Sequence, residues 1–165
     1  MSHFLKFVGE VALPAISEFD AEAHFRVTPA EERATADVVI GWVSENMRSL
    51  VRGKVETDVA EATLRVHQLI KASTDVFIIA ELGNEVAETT FFAQMYQMLT
   101  AQGRGQQGIL LTNGFANIFY YVGVWAVDCY WFSDCGSWSV GALPIANPFR
   151  WCAGAQVVSR ESLRA

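Results

Sequence analysis

The sequence predicts an α+β fold in which N-terminal helices pack on a C-terminal antiparallel β-meander of four to five strands. Residues 108–159 join short, aromatic-rich apolar runs through turn sequences and carry few charges. Residues 1–103 instead show apolar side chains at helical spacing and two helix-start sequences. A length of 165 residues, with 52% hydrophobic side chains, is enough for a sizeable core. We therefore expect one domain, 1–165, mainly helical over 1–103 and a β-meander over 108–159.

The first sixty residues predict two helical regions. Residues 4–19 are apolar with polar interruptions, which suits helix on either side of Pro14. The sequence TPAE at 28–31 is a typical helix start, with Thr28 as the cap, proline in the first turn and a glutamate that reaches back. This helix is expected to continue to about Arg52 and to end at Gly53.

Two further helical segments are predicted before the meander. Asp58 followed by Glu61 resembles a capping box, and the apolar residues between 59 and 70 share one helical face. Residues 76–82 fit either a buried strand or a helix. A break is expected at Gly83–Asn84, and Asn84 would then cap a helix that runs to about Ala101.

The meander is predicted from its turn sequences. Asn113–Gly114 between two apolar runs, 109–112 and 115–121, indicates a type I′ hairpin. A strand at 124–132 is followed by the turn sequence SDCG at 133–136, and a returning strand covers 137–145. Residues 156–159 are expected to form a last, edge strand.

Pairing Phe132 with Ser137 sets the register of the central hairpin, so that Trp131 lies opposite Trp138 and Asp128 opposite Gly141. The predicted core face then carries Trp125, Val127, Cys129, Trp131, Trp138, Val140 and Ala142. The other face is mixed, and function is expected there; it carries Ala126, Asp128, Tyr130, Phe132, Ser137, Ser139, Gly141 and Leu143. A slip of one residue would exchange the two faces.

Asp128 is the leading candidate for a functional side chain, because it is the only charge between Arg104 and Asp134. A carboxyl in an aromatic strand is either solvated and hydrogen-bonded or placed in a pocket with a raised pKa. If the protein has a small-molecule site, we expect it to include four residues of the mixed face: Asp128, Tyr130, Phe132 and Ser139.

Other patterns are weaker. Glu81, Glu85 and Glu88 could line one helical face, but no Glu-x-x-His is present, so a solvated acidic face is the prediction. Asp20 and His24 could give a metal ion two ligands at most, which is too few for a site. His67 is expected to be a half-buried histidine with a structural role. The common nucleophile, phosphate-loop, dinucleotide and zinc-protease motifs are missing, so neither a metal nor a cofactor is expected.

Composition limits the partners. The net charge of −6 and the scattered basic residues argue against nucleic acid, including base stacking on Tyr130 and Phe132. Only 18% of residues are charged, against about a quarter in typical soluble domains, so some apolar surface is expected to be buried in a homo-oligomer or against a protein partner.

The location is expected to be cytoplasmic. Three cysteines without a close pair predict reduced thiols, although Cys129 and Cys135 flank one turn and could approach each other in another register. The N-terminus does not read as a signal peptide, because Glu10 and Pro14 interrupt its apolar stretch. The uncharged stretch 106–127 has the turn residues of hairpins, so no membrane span is expected.

In element order alone, helices followed by a long meander, the chain resembles the nuclear-transport-factor-like cone fold. That resemblance implies a strongly curved sheet and assigns no residue a role. The sequence is compatible with two functions. The first is a non-enzymatic interaction or self-associating structural protein that uses the aromatic-rich sheet face. The alternative is a small pocket enzyme or small-molecule carrier, with Asp128 as acid/base or orienting residue, and a concave pocket at Asp128 would favour it.

Overall fold

The structure, a computed structural model, describes residues 3–83, 90–121 and 124–160. Strands hold 41% of the residues and helices 21%, so the protein is mostly β. The predicted arrangement, N-terminal helices on a C-terminal antiparallel meander, is therefore wrong. Within residues 3–70 the structure has five strands, two short α-helices and one 3-10 turn.

The strands and helices follow one another along the whole described chain. In order they are β1 (Leu5–Leu13), β2 (Ile16–Asp20), α1 (Ala21–His24), a 3-10 turn (Ala30–Glu32), β3 (Ile40–Val43), α2 (Glu45–Val51), β4 (Val55–Val59), β5 (Ala62–Leu69), β6 (Ser73–Thr74), α3 (Asp75–Leu82), α4 (Phe92–Ala101), β7 (Asn117–Tyr121), β8 (Trp125–Phe132), β9 (Ser137–Pro144), β10 (Arg150–Trp151) and β11 (Gln156–Arg160).

Seven strands form one mixed sheet in the order β1-β5-β11-β7-β8-β9-β3. Most neighbours are antiparallel, but β11 is parallel to β7 and β3 is parallel to β9. The strand predicted at 156–159 exists, yet it is not at an edge. It lies between β5 and β7 and bonds to both, because strands from the N-terminal half extend the sheet beyond it.

The helices predicted at 4–19 and from Asp58 onward are wrong for a common reason. In β5, Leu64 and Val66 are buried in the core while Arg65 and His67 point to the other side, which is the two-residue period of a strand. Ala62, Val66 and Leu69, at spacings of four and three residues, also fit one helical face. Pairing of β5 with β1 on one side and β11 on the other decides for the strand, since it satisfies the backbone groups on both sides.

The long helix predicted from Thr28 to Arg52 is replaced by a turn, a strand and a short helix. The Thr28 hydroxyl accepts a hydrogen bond from the Ile40 N–H at 2.9 Å, so it holds β3 instead of capping a helix. The short helix, α2, is capped by Ser44, whose Oγ accepts from the Met47 N–H at 3.1 Å, and it ends at Val51. Trp42 consequently lies on an edge strand and is 49% exposed.

The ambiguous segment is the helix α3, and the predicted break at Gly83 is confirmed by its left-handed φ of 95°. Helix α4 ends at Ala101, as predicted. Its first two N–H groups, of Phe92 and Ala93, donate to the buried Glu56 carboxyl at 3.1 and 2.8 Å. Asn84, Glu85 and Glu88 lie outside the described residues.

The hairpin predicted at Asn113–Gly114 is wrong, because residues 109–112 are not a strand. The Asn113 side chain accepts from the Phe115 N–H at 3.2 Å, and Gly114 has a φ of 91°. These features make a local side-chain turn instead of a two-residue hairpin turn. The turn brings Phe115 to the mixed face of the sheet.

The predicted register of the β8–β9 hairpin is confirmed at every pair from Phe132–Ser137 to Asp128–Gly141. Trp131 and Trp138 meet edge to face, with ring centroids 5.5 Å apart. The predicted core face is also correct: Val127, Cys129, Trp138, Val140 and Ala142 are buried in the larger core cluster.

The sheet is covered on both faces, which is not the predicted cone. The larger core lies between one face and α1, α2 and α4. On the other face, α3 and the β6–β10 pair cover only the part around β7 and the start of β8, through residues such as Ile78 and Trp151. The element order that carried the resemblance to the cone fold is absent, since the chain opens with strands and its sheet is mixed. In the described part of the chain, every helix is too short or too polar to cross a membrane.

Candidate functional site

A pocket of about 400 Å³ opens on the mixed face, beside the part that α3 and β10 cover. Its floor comes from β8 and β9, and its walls come from β3, the turn before β7, and the loop around β10. It is called the Asp128 pocket, and its lining comprises Trp42, Ser44, Gly114, Phe115, Ala116, Asp128, Tyr130, Gly141, Ala142, Leu143, Phe149, Trp151, Cys152 and Ala155.

Asp128 lies in the floor and is 8% exposed. Gly141 faces it across the hairpin, and a Cβ placed on Gly141 would come within 3.1 Å of Asp128 Oδ1. A glycine here therefore leaves room beside the carboxyl. Burial raises the pKa of Asp128 to about 7; the hydrogen bond from its own backbone N–H opposes this shift, and the charge of Asp75 adds to it. The carboxyl can thus hold or release a proton near neutral pH.

A second buried carboxyl, that of Asp75, holds one wall of the pocket in place. It is the first residue of α3, is 1% exposed, and accepts hydrogen bonds of 2.7 Å from the Tyr120 hydroxyl and from Trp151 Nε1. Burial raises the pKa of Asp75, although both hydrogen bonds favour its charged form. Because Trp151 is part of the pocket wall, this contact fixes one wall relative to α3.

The lining continues into a smaller hollow of about 320 Å³, called the outer hollow, which shares Trp42 and Tyr130 with the pocket. Its remaining lining residues are Arg33, Gly41, Phe132, Cys135, Ser137 and Ser139. The rings of Tyr130 and Phe132 meet edge to face at 5.0 Å. Burial, and then the charge of Asp128, raise the pKa of Tyr130, while a hydrogen bond with Ser139 opposes them.

The four residues predicted for a small-molecule site therefore share one continuous surface. Asp128 and Tyr130 line the pocket, whereas Tyr130, Phe132 and Ser139 line the outer hollow. The pocket walls, above all Trp42 and Phe115, are not predicted from the sequence, because its patterns place the first in a helix and the second in a hairpin strand. The β-branched run at 38–43 was a signal for the strand that carries Trp42.

The other candidate residues have structural roles. Asp20 caps α1 by accepting from the Ala23 N–H at 3.1 Å, and His24 Nδ1 lies 2.7 Å from the Asp20 carbonyl oxygen. Glu81 is partly buried and accepts from the N–H groups of Phe4 and Leu5, so the solvated acidic face predicted for it is wrong. His67 is half-buried, as expected, and burial lowers its pKa.

The remaining candidate groups are the metal-ligating side chains and the cysteines. Within residues 3–83, 90–121 and 124–160, no group of three or more His, Cys, Asp or Glu side chains could hold a metal ion. All three cysteines are unpaired; Cys129 is buried, while Cys135 and Cys152 are exposed. The confirmed β8–β9 register places Cys129 opposite Val140 on the core face.

Comparison with known proteins gives no relative: no protein-family model, no curated protein and no solved structure matches the chain. The function must therefore be argued from the geometry of the site.

Proposed function

We propose that the protein binds a small, largely apolar molecule in the Asp128 pocket, where the Asp128 carboxyl orients the ligand's polar group. The observation that carries this proposal is a concave cavity with aromatic walls and a single buried carboxyl in its floor. Small-molecule sites combine mainly apolar linings of roughly 300–1,000 Å³ with a few placed polar groups. The volume of about 400 Å³ suits a compact ligand with one or two rings.

The polar groups near Asp128 already form hydrogen bonds with other residues, and this favours binding over catalysis. Ser44 Oγ accepts from the Met47 N–H at the start of α2, and Tyr130 shares a hydrogen bond with Ser139. A nucleophile needs a base within hydrogen-bonding reach, and among the described lining residues neither Ser44, Tyr130 nor Cys152 forms a side-chain hydrogen bond with Asp128. The form of catalysis that this pocket would support is proton transfer by Asp128 alone.

The first experiment measures binding of N-phenyl-1-naphthylamine, a neutral apolar dye that fluoresces when it leaves water. The parent protein should bind it saturably with one site per chain. The Trp42→Ala variant should bind on the order of tenfold more weakly, because an aromatic wall is lost. Trp42 is 49% exposed, so this truncation removes little buried packing.

Phe7→Ala is the matched control. Phe7 is 48% exposed and lies on β1, at the opposite edge of the sheet from β3. Its removal deletes a similar exposed aromatic ring without touching the pocket. Equal weakening by both variants, or dye uptake that never saturates, would contradict a binding site at Asp128.

A second candidate function, self-association into a homodimer, rests on the free edge of β1. This strand pairs with β5 along one side, and no described strand pairs with its other side. Phe7 and Val8 are exposed there, at 48% and 47%. Exposed apolar edge strands pair readily with a second chain, and we propose that β1 of one copy pairs with β1 of another.

Light scattering at micromolar concentration tests this second candidate. The parent should show a dimer mass, and Val8→Lys should shift the mass to that of a monomer, because a charge on an edge strand opposes strand pairing. Val124→Lys is the control, since Val124 is 55% exposed at another place on the surface. A monomeric parent over the whole concentration range would remove the idea.

The compartment and the partner classes complete the proposal. Three unpaired thiols, two of them exposed, support a reducing compartment such as the cytoplasm. The net charge of −6 supports a partner other than nucleic acid.

A further inference from the structure

We propose that the ligand of the Asp128 pocket carries a protonated amine, which pairs with the Asp128 carboxylate while its apolar body packs between the aromatic walls. This inference rests on the proposed function, since it assigns the chemical class of the molecule bound at that site.

The charges around the pocket favour a cation. Among the described residues of its lining, Asp128 alone carries a charge, and no basic side chain neutralises it. Asp75 lies close enough for its charge to act on Asp128. Arg33, a basic residue that lines the outer hollow and not the pocket, donates to the Cys135 carbonyl at 3.3 Å. An anionic ligand would therefore meet only like charges, whereas a cation would compensate the buried carboxylate.

The walls also favour a cation. Five aromatic side chains line the pocket: Trp42, Phe115, Tyr130, Phe149 and Trp151. The faces of aromatic rings carry negative potential and attract ammonium groups, most strongly where water is excluded. Phe149 and Trp151 meet edge to face at 4.9 Å, and Trp151 is held by its bond to Asp75, so part of this cage is formed before a ligand enters.

A neutral ligand is the competing reading, because a protonated Asp128 could donate a hydrogen bond to a carbonyl oxygen. The two readings have opposite pH dependence: an amine needs the ionised carboxyl, and a carbonyl oxygen needs the protonated one. Three titratable groups lie near Asp128 on its own side of the sheet: Asp75 from α3, Tyr130 of the same strand, and Cys152 from the loop after β10. Cys129 is the next residue along the strand, and its thiol is on the core face. Burial raises the pKa of Tyr130 and of Cys129, which keeps both neutral as the carboxyl titrates.

The test compares 2-(1-naphthyl)ethylamine with 2-(1-naphthyl)ethanol, which share the ring and the chain and differ in the cation. Dissociation constants are measured by displacement of N-phenyl-1-naphthylamine from the full-length parent between about pH 5.5 and about pH 8.5, on both sides of the pKa of about 7. At the upper end the amine should bind at least about tenfold more tightly than the alcohol. This advantage should shrink as the pH falls and Asp128 takes up a proton.

Asp128→Asn keeps the shape of the side chain and removes the charge. It should abolish the preference for the amine at every pH, so that the amine and the alcohol bind the variant with dissociation constants within about threefold of each other. If the alcohol binds and the amine is no better at the upper pH, the inference is overturned while the pocket remains a ligand site. If neither compound displaces the dye, or the dye itself does not bind, the proposed function falls as well.

Discussion

Trp138→Ala should lower the free energy of unfolding by about 3–5 kcal/mol, the largest loss expected from any single truncation here. Trp138 is fully buried and packs edge to face on Trp131, with ring centroids 5.5 Å apart. Its Nε1 donates to the Gln102 carbonyl at 2.9 Å, at the end of α4. Alanine therefore leaves a cavity between the sheet and this helix and removes one of the two donors to the Gln102 carbonyl, the other being the Gly105 N–H at 2.9 Å.

Chemical denaturation of the parent and the variant measures this loss. Trp42→Ala is the matched control, because it removes the same side chain from a site that is 49% exposed and should cost less than about 1 kcal/mol. Equal midpoints for parent and Trp138→Ala would mean that Trp138 is outside the core and that the β8–β9 register is different.

The β8–β9 hairpin could be predicted because its determinants are local. The SDCG turn fixes which residues pair, and alternation along 125–132 then assigns every side chain to a face. The first seventy residues lack such determinants. Val66 and Leu69, three residues apart, satisfy a helical period, yet in the strand they lie on opposite faces of the sheet and enter different cores. The strand forms because it pairs with β1, more than fifty residues away in sequence. Propensity alone does not contain that long-range pairing.

The candidate site also has a part that the sequence predicts and a part that it does not. Asp128 could be predicted as a site residue because a lone charge in an aromatic strand must be hydrated, paired with another group or part of a functional site. The walls of its pocket come from Trp42, Phe115 and Phe149, which lie on three separate segments of the chain. The bond between Asp75 and Trp151 also joins distant segments. Their approach depends on how the segments meet on the sheet, and a pattern read along the chain cannot predict this.

The second large effect concerns the pH dependence of stability at Asp128. The pKa of its carboxyl rises from an ordinary 3.8 to about 7 on folding, mainly through burial. Between these values the folded protein holds a proton that the unfolded chain has lost, so a rise in pH favours unfolding. At about 1.4 kcal/mol per pH unit, Asp128 lowers the free energy of unfolding by up to about 4 kcal/mol between about pH 4 and about pH 7, and not further above that.

Asp128→Asn should remove this loss, because the amide stays neutral throughout. The variant should match the parent near about pH 4 and exceed its free energy of unfolding by a few kcal/mol near about pH 8, measured by urea denaturation across the range. Glu56, whose pKa burial also raises, is present in both proteins, so its effect cancels in the difference. The repulsion between Asp75 and Asp128 is lost in the variant and adds to the difference at high pH. Asp134→Asn, in the exposed β8–β9 turn, removes the same charge and should keep the parent's pH-dependent fall. A constant difference between Asp128→Asn and the parent at all pH values would show that Asp128 is hydrated instead of buried in the pocket floor, and would remove the basis for a ligand paired with it.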